Sequence, residues 1–213
     1  MIYLRSIILR DQPQRDLYLN GIPAVQQLLR DGAMEFPKPV TVFVGENGTG
    51  KSTILEAIAI AMGFNAEGGG REHRFSTMDS HSELWQLLTP VKSRIPDDGY
   101  FLRAESFYNT SSYIDQSGSK LSRYGYRALH TRSHGEAFLS LLVAMHDLVE
   151  QESQFIIATH SPIVMAFPGA EVKLFDENGI HSTDYKQTEH YMITKQFIND
   201  PERMLKYLLE ADE

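Results

Sequence analysis

Two short apolar runs stand out from an otherwise mixed chain: Val40-Thr41-Val42-Phe43-Val44 and Phe155-Ile156-Ile157-Ala158. Each is continuous and rich in β-branched or aromatic residues, the pattern of a strand buried on both faces of a parallel sheet. After the first run the period changes. Between residues 51 and 62 apolar side chains fall at Ile54, Leu55, Ala57, Ile58, Ala61 and Met62, one broad helical face, and Gly63 closes the helix. A second helical face, with Ala137, Phe138, Leu141, Leu142, Met145, Leu148 and Val149, leads into the second run.

The flanks are simpler. Residues 1–9 carry Ile, Leu and Tyr and read as a strand running toward Arg10. Pro23 opens a short helix over residues 24–30, which Asp31-Gly32 ends. Asn178-Gly179, between strand-like residues 171–175 and 180–185, is a hairpin signal. Near the end Asp200 caps a helix, Pro201 suits its first position, Glu202 opposes the dipole, and Met204, Leu205, Leu208 and Leu209 form its apolar face.

Residues 64–132 break this order and read as a lobe inserted into a single domain spanning 1–213. Gly68-Gly69-Gly70 is either a loop or a nucleotide-side segment presenting Arg71 or Arg74. The aromatic residues Phe101, Phe107, Tyr108, Tyr113, Tyr124 and Tyr126 suit a small core better than a base-stacking platform, because few basic residues lie among them. The expected fold is α/β: a mainly parallel central sheet flanked by helices, with a β-rich N-terminal part and the inserted lobe.

Composition narrows the chemistry. Hydrophobic residues make up 42% of the chain, enough for a packed core, and a net charge of −8 argues against a surface that binds nucleic acid all over. With no cysteine there is no disulfide framework, thiol nucleophile or cysteine-ligated zinc. No apolar run approaches the ~18 residues of a membrane span, and Arg5, Arg10 and Asp11 interrupt any signal-peptide pattern, so the expected location is cytoplasmic.

The first apolar run ends in Gly45-Glu46-Asn47-Gly48-Thr49-Gly50-Lys51-Ser52-Thr53, which matches G-x-x-x-x-G-K-[ST] with a strand before it and a helix after it. Such a strand, glycine loop and helix form a phosphate cradle. The glycines let backbone N–H groups point at a polyphosphate, and the helix start adds unpaired N–H groups and the positive end of its dipole. Lys51 is expected to reach the β- and γ-phosphates, and the Ser52 hydroxyl to ligate Mg²⁺. Two further segments matter beside the cradle. Ser133-His134-Gly135-Glu136 is either an ordinary helix start or a second phosphate contact, facing a nucleotide held by another subunit. His160, in Thr159-His160-Ser161-Pro162, sits just past a strand's carboxyl end, where a histidine is either structural or ligand-facing.

In this order the three segments resemble the ATP-binding-cassette class of P-loop ATPases. More narrowly they resemble the bacterial AAA-family ATPases related to the heads of structural-maintenance-of-chromosomes proteins, and the resemblance covers nearly the whole chain. It implies binding of ATP and Mg²⁺, hydrolysis to ADP and phosphate, and a homodimer that sandwiches nucleotide. It assigns Ser133, His134, Gly135 and Glu136 to the signature that meets the partner's nucleotide, and Lys51 and His160 to catalysis, His160 as the switch residue. DNA or a second effector protein enters only as a family-level expectation.

One expected element is missing. The family has an apolar strand ending in Asp-Glu between signature and switch, yet only 24 positions separate Glu136 from His160. A helix, two strands, a second helix and their loops need roughly 40 residues. Asp147 lies inside a helical pattern, and Asp176-Glu177 belongs to the hairpin signal after the switch. Either a deletion or a segment missing from this sequence explains the gap. Three functions therefore stand at this level: a hydrolysing ATPase, a non-hydrolysing ATP-dependent interaction switch, and the ATP-binding subunit of a transporter.

Overall fold

The computed structural model describes residues 1–66, 69–70, 82–101 and 134–209, and within 134–141 only Leu139 among the side chains. Arg71, Arg74, Ser133 and the aromatic residues from Phe107 to Tyr126 lie outside the described residues, as does most of the span 64–132.

The chain opens with β1 (Leu4–Leu9), α1 (Pro23–Asp31), β2 (Ala33–Glu35), β3 (Val40–Gly45) and α2 (Lys51–Ala61). Next come α3 (Leu84–Leu87), β4 (Leu88–Lys92), α4 (His134–Glu150), β5 (Phe155–Ala158) and α5 (Pro162–Met165). The last elements are β6 (Glu171–Asp176), β7 (Gly179–Thr183), α6 (Glu189–Asn199) and α7 (Pro201–Leu209). Local signals account for several ends. Pro23 takes the first turn of α1, and Gly32 closes it at φ 80°, donating its N–H to the Leu28 carbonyl. In α7 the Asp200 carboxylate accepts from the Arg203 N–H at 3.1 Å.

The central sheet has the order β5-β3-β6-β7. Strand β3 runs parallel to both β5 and β6, with Val42 opposite Ile157 on one side and Val172 on the other. The antiparallel β6–β7 hairpin closes one end, with Asp176 opposite Gly179. A second, antiparallel sheet, β2-β1-β4, lies beside it. Residues 88–92, inside the span read as a lobe, thus pair with the first strand of the chain.

Because successive side chains of a strand point to opposite faces, β3 feeds two cores. Val40, Val42 and Val44 pack with Met145 of α4, Met165 and Phe167. Phe43 faces the other way, among Ile54 and Ile58 of α2, Ile7 and Leu9 of β1, and Phe175, whose ring centroid is 4.8 Å from its own. A fully buried side chain of this size contributes about 1.5–3 kcal/mol, and every residue of β3 is buried.

Two expectations are corrected. The run Phe155–Ala158 does form a strand with a core on each face, Ile156 and Ala158 on one side and Phe155 and Ile157 on the other, but all four residues are only partly buried. The reason is position: among the described residues β5 is the edge of its sheet, paired only with β3. The apolar face expected near the C-terminus is present on α7, yet Leu205, Leu208 and Leu209 are exposed. The preceding helix α6, unassigned from sequence, has no buried residue.

Candidate functional site

The loop after β3 turns through residues that only glycine suits. Gly45 has φ 133°, and a Cβ there would stand 2.0 Å from the Phe175 carbonyl oxygen of β6. Gly50 has φ 94°, and its Cβ would meet the Ile22 side chain at 2.6 Å. Both glycines therefore serve packing as well as the turn, letting β6 and the start of α1 close on the loop. Inside the loop the Thr49 hydroxyl donates to the Glu46 carbonyl at 2.9 Å.

Lys51, first residue of α2, folds its side chain back over this loop. Its Nζ donates to the Glu46 carbonyl at 2.5 Å and lies 3.4 Å from the Thr49 hydroxyl. Burial pushes its pKa down, against the opposing pull of the Glu46 carboxylate. A cation held in a partly dry site is a strong attractor for a multivalent anion, since few waters compete for it. The N-terminus of α2 points into the same place: Gly50 caps it without a side-chain hydrogen bond, so the first-turn N–H groups keep their capacity to donate.

Ser52 follows, exposed, in the first turn of α2. Among the described residues no cluster of three or more His, Cys, Asp or Glu side chains is arranged to hold a metal ion on its own. A hydroxyl such as that of Ser52, exposed beside the loop, fits a Mg²⁺ shared with phosphate oxygens, and Ser52 would be its protein ligand.

His160 reaches the same edge by a separate strand. Because β5 is parallel to β3, with Ala158 opposite Phe43, both chains leave the sheet at their carboxyl ends side by side. The Thr159 N–H donates to the Phe43 carbonyl at 3.1 Å and extends that pairing by one residue. The His160 pKa is lowered by burial, then by the charge of Lys51, then by His190. Lys51 and His160 thus share one electrostatic environment.

His190 is the residue that the linear pattern did not reveal. Its Nε2 lies 2.8 Å from His160 Nδ1, with ring centroids 4.6 Å apart. Thirty positions separate the two histidines, and no local periodicity links them.

The remaining candidates are distributed as follows. His134, Gly135 and Glu136 form the first turn of α4, and Ser133 lies outside the described residues. Asp147 sits in the body of α4 beside His146, not at a strand end. Asp176 is engaged in the hairpin, accepting from the Asn178 N–H at 2.8 Å and facing His181 at 3.5 Å. Helix α4 passes to β5 directly through Glu152, which adopts φ 68°. No further strand intervenes between them.

A family profile described as an AAA domain matches residues 17–199. The structural maintenance of chromosomes protein 6 of Takifugu rubripes is 27% identical over 134 residues, which cover 63% of this chain and 12% of that protein. The chain therefore spans about an eighth of that relative's length. No solved structure matches it.

Proposed function

Because this chain belongs to the AAA domain family, we propose that it is an ATP-binding ATPase of the structural-maintenance-of-chromosomes type, working as a nucleotide-sandwich homodimer in the manner of ATP-binding-cassette proteins. The observation that carries the reading is that two adjacent parallel strands lead, past their carboxyl ends, to the glycine loop and helix start holding Lys51 and to His160.

The reading gives each residue a role. The backbone of residues 45–53 cradles the polyphosphate, and Lys51 exchanges the Glu46 carbonyl for β- and γ-phosphate oxygens. His160 stands where it can sense the terminal phosphate. Ser52 would hold Mg²⁺, which when bound would neutralise charge on the phosphates. Ser133, His134, Gly135 and Glu136 would meet the nucleotide of the second copy, with the start of α4 offering its N–H groups. The name of the relative makes DNA, or an effector bound to it, the first macromolecular partner to test.

Equilibrium binding of Mg²⁺-ATP tests the core of this reading. Wild-type protein should bind and Lys51→Ala should bind about 100-fold more weakly; equal binding by both sinks it. A second reading, a switch that binds ATP and dimerises without turnover, draws on one observation: α4 leads straight to β5, with no carboxylate-bearing strand between them to orient an attacking water. Phosphate release measured beside ATP-driven dimerisation separates the two.

A further inference from the structure

Two histidines in direct contact at a phosphate-facing edge need an explanation. His160 follows β5, and the turn after it is fixed by the Ser161 N–H donating to the Thr159 hydroxyl at 3.0 Å. His190 is the second residue of α6. The start of α6 is anchored on α5, the short helix that His160 leads into: Thr188, its N-cap, is 1% exposed, and its hydroxyl donates to the Tyr185 carbonyl at 2.6 Å and lies 3.7 Å from Met165 Sδ. Each ring is thus carried by an element packed against the other.

The contact joins Nδ1 of His160 to Nε2 of His190 at 2.8 Å, so a single proton must lie between them. The two facing nitrogens cannot both carry a proton in this contact, and the His160 pKa is lowered by burial, then by the charge of Lys51, then by His190. Two neutral arrangements remain. If His190 donates, His160 keeps its proton on Nε2. If His160 donates, its Nε2 is a bare acceptor, which would repel a phosphate oxygen.

We infer that His190 is a positioning residue: its Nε2–H donates to His160 Nδ1, fixing the ring and leaving the Nε2–H of His160 as the donor for the terminal phosphate of a bound nucleotide. This deepens the ATP-binding reading and rests on it for the choice of donor and for the identity of the phosphate. The hydrogen bond and tautomer themselves belong to the free protein. Sequence distance hides the pair, and α5 and α6 bring it together.

The test separates the two levels. Long-range ¹H–¹⁵N NMR of the imidazole nitrogens in the free protein should show His160 in the Nε2–H form. His190→Gln, whose amide can still donate, should keep that form, whereas His190→Ala should let His160 populate both tautomers. An Nδ1–H form in wild type, or spectra indifferent to His190→Ala, overturns the inference whether or not ATP binds. With Mg²⁺-ATP, the affinity of His190→Ala should stay within about 3-fold of wild type because the cradle remains. ATP-driven dimerisation or phosphate release, whichever the wild type shows, should fall about 10-fold, with recovery in His190→Gln. Failure of wild type to bind ATP would instead count against the function proposed above and leave the tautomer result standing.

Discussion

Strands β3 and β5 look alike as text and differ as structure. Both are short apolar runs, both are parallel, and both deliver a site residue to the same edge. Yet every residue of β3 is buried, while every residue of β5 is half-exposed. The difference lies in neighbours: β3 is flanked by β5 and β6, whereas β5 has β3 alone among the described strands. An apolar run thus encodes the capacity for burial, and pairing decides how much of it is used.

Substitutions can break that contrast. The largest effect is expected at Phe43→Ala, where a fully buried ring is lost from the core formed with α2, β1 and Phe175; urea unfolding should register about 3–5 kcal/mol. Next comes Lys51→Ala, which removes the cation folded over the loop at the end of β3 and should weaken ATP binding by about 100-fold in a titration. On the edge strand, Ile157→Ala should cost only about 1–2 kcal/mol, since part of that side chain is already in water. A cost as large as that of Phe43→Ala would mean that another chain segment or a second molecule covers β5 in solution.

Two smaller effects probe the approach to β5. Glu152 holds φ 68° where α4 reverses, a backbone region that favours glycine, so Glu152→Gly should raise the unfolding free energy by about 0.5–1 kcal/mol. The smallest effect concerns pH. The His160 pKa is lowered by burial, Lys51 and His190, so the unfolded chain takes up this proton before the native one does. Stability should therefore fall as pH drops below the ordinary value of 6.5 toward the lowered native value, and not change through this group above it. His160→Asn should show a shallower loss in urea midpoints between pH 7.5 and 5.5.

Much of the fold was legible because its signals are local. Pro23 and Gly32 bound α1, residues 51–62 carry a helical face, and Asn178-Gly179 turns the β6–β7 hairpin, all within a few residues of the structure they specify. The glycine loop after β3 and the helix start that follows it were legible for the same reason. Helix α6 was not: its apolar residues Met192, Ile193, Phe197 and Ile198 are exposed, so no core reinforces their pattern. Nor was the pairing of β4 with β1, which joins Leu9 to Leu88 across a long stretch of chain.

The site divides along the same line. By itself the order of residues determined that Gly45 to Thr53 makes a glycine turn running into a helix start, because turn geometry, glycine φ values and a helix start are properties of adjacent peptides. Only the tertiary structure decided that Gly45 must also admit Phe175, that Phe155–Ala158 lies at an edge, and that His160 meets His190. Those facts depend on which strands lie side by side and which helices pack together, and a contact between residues thirty apart leaves no period in the chain to read.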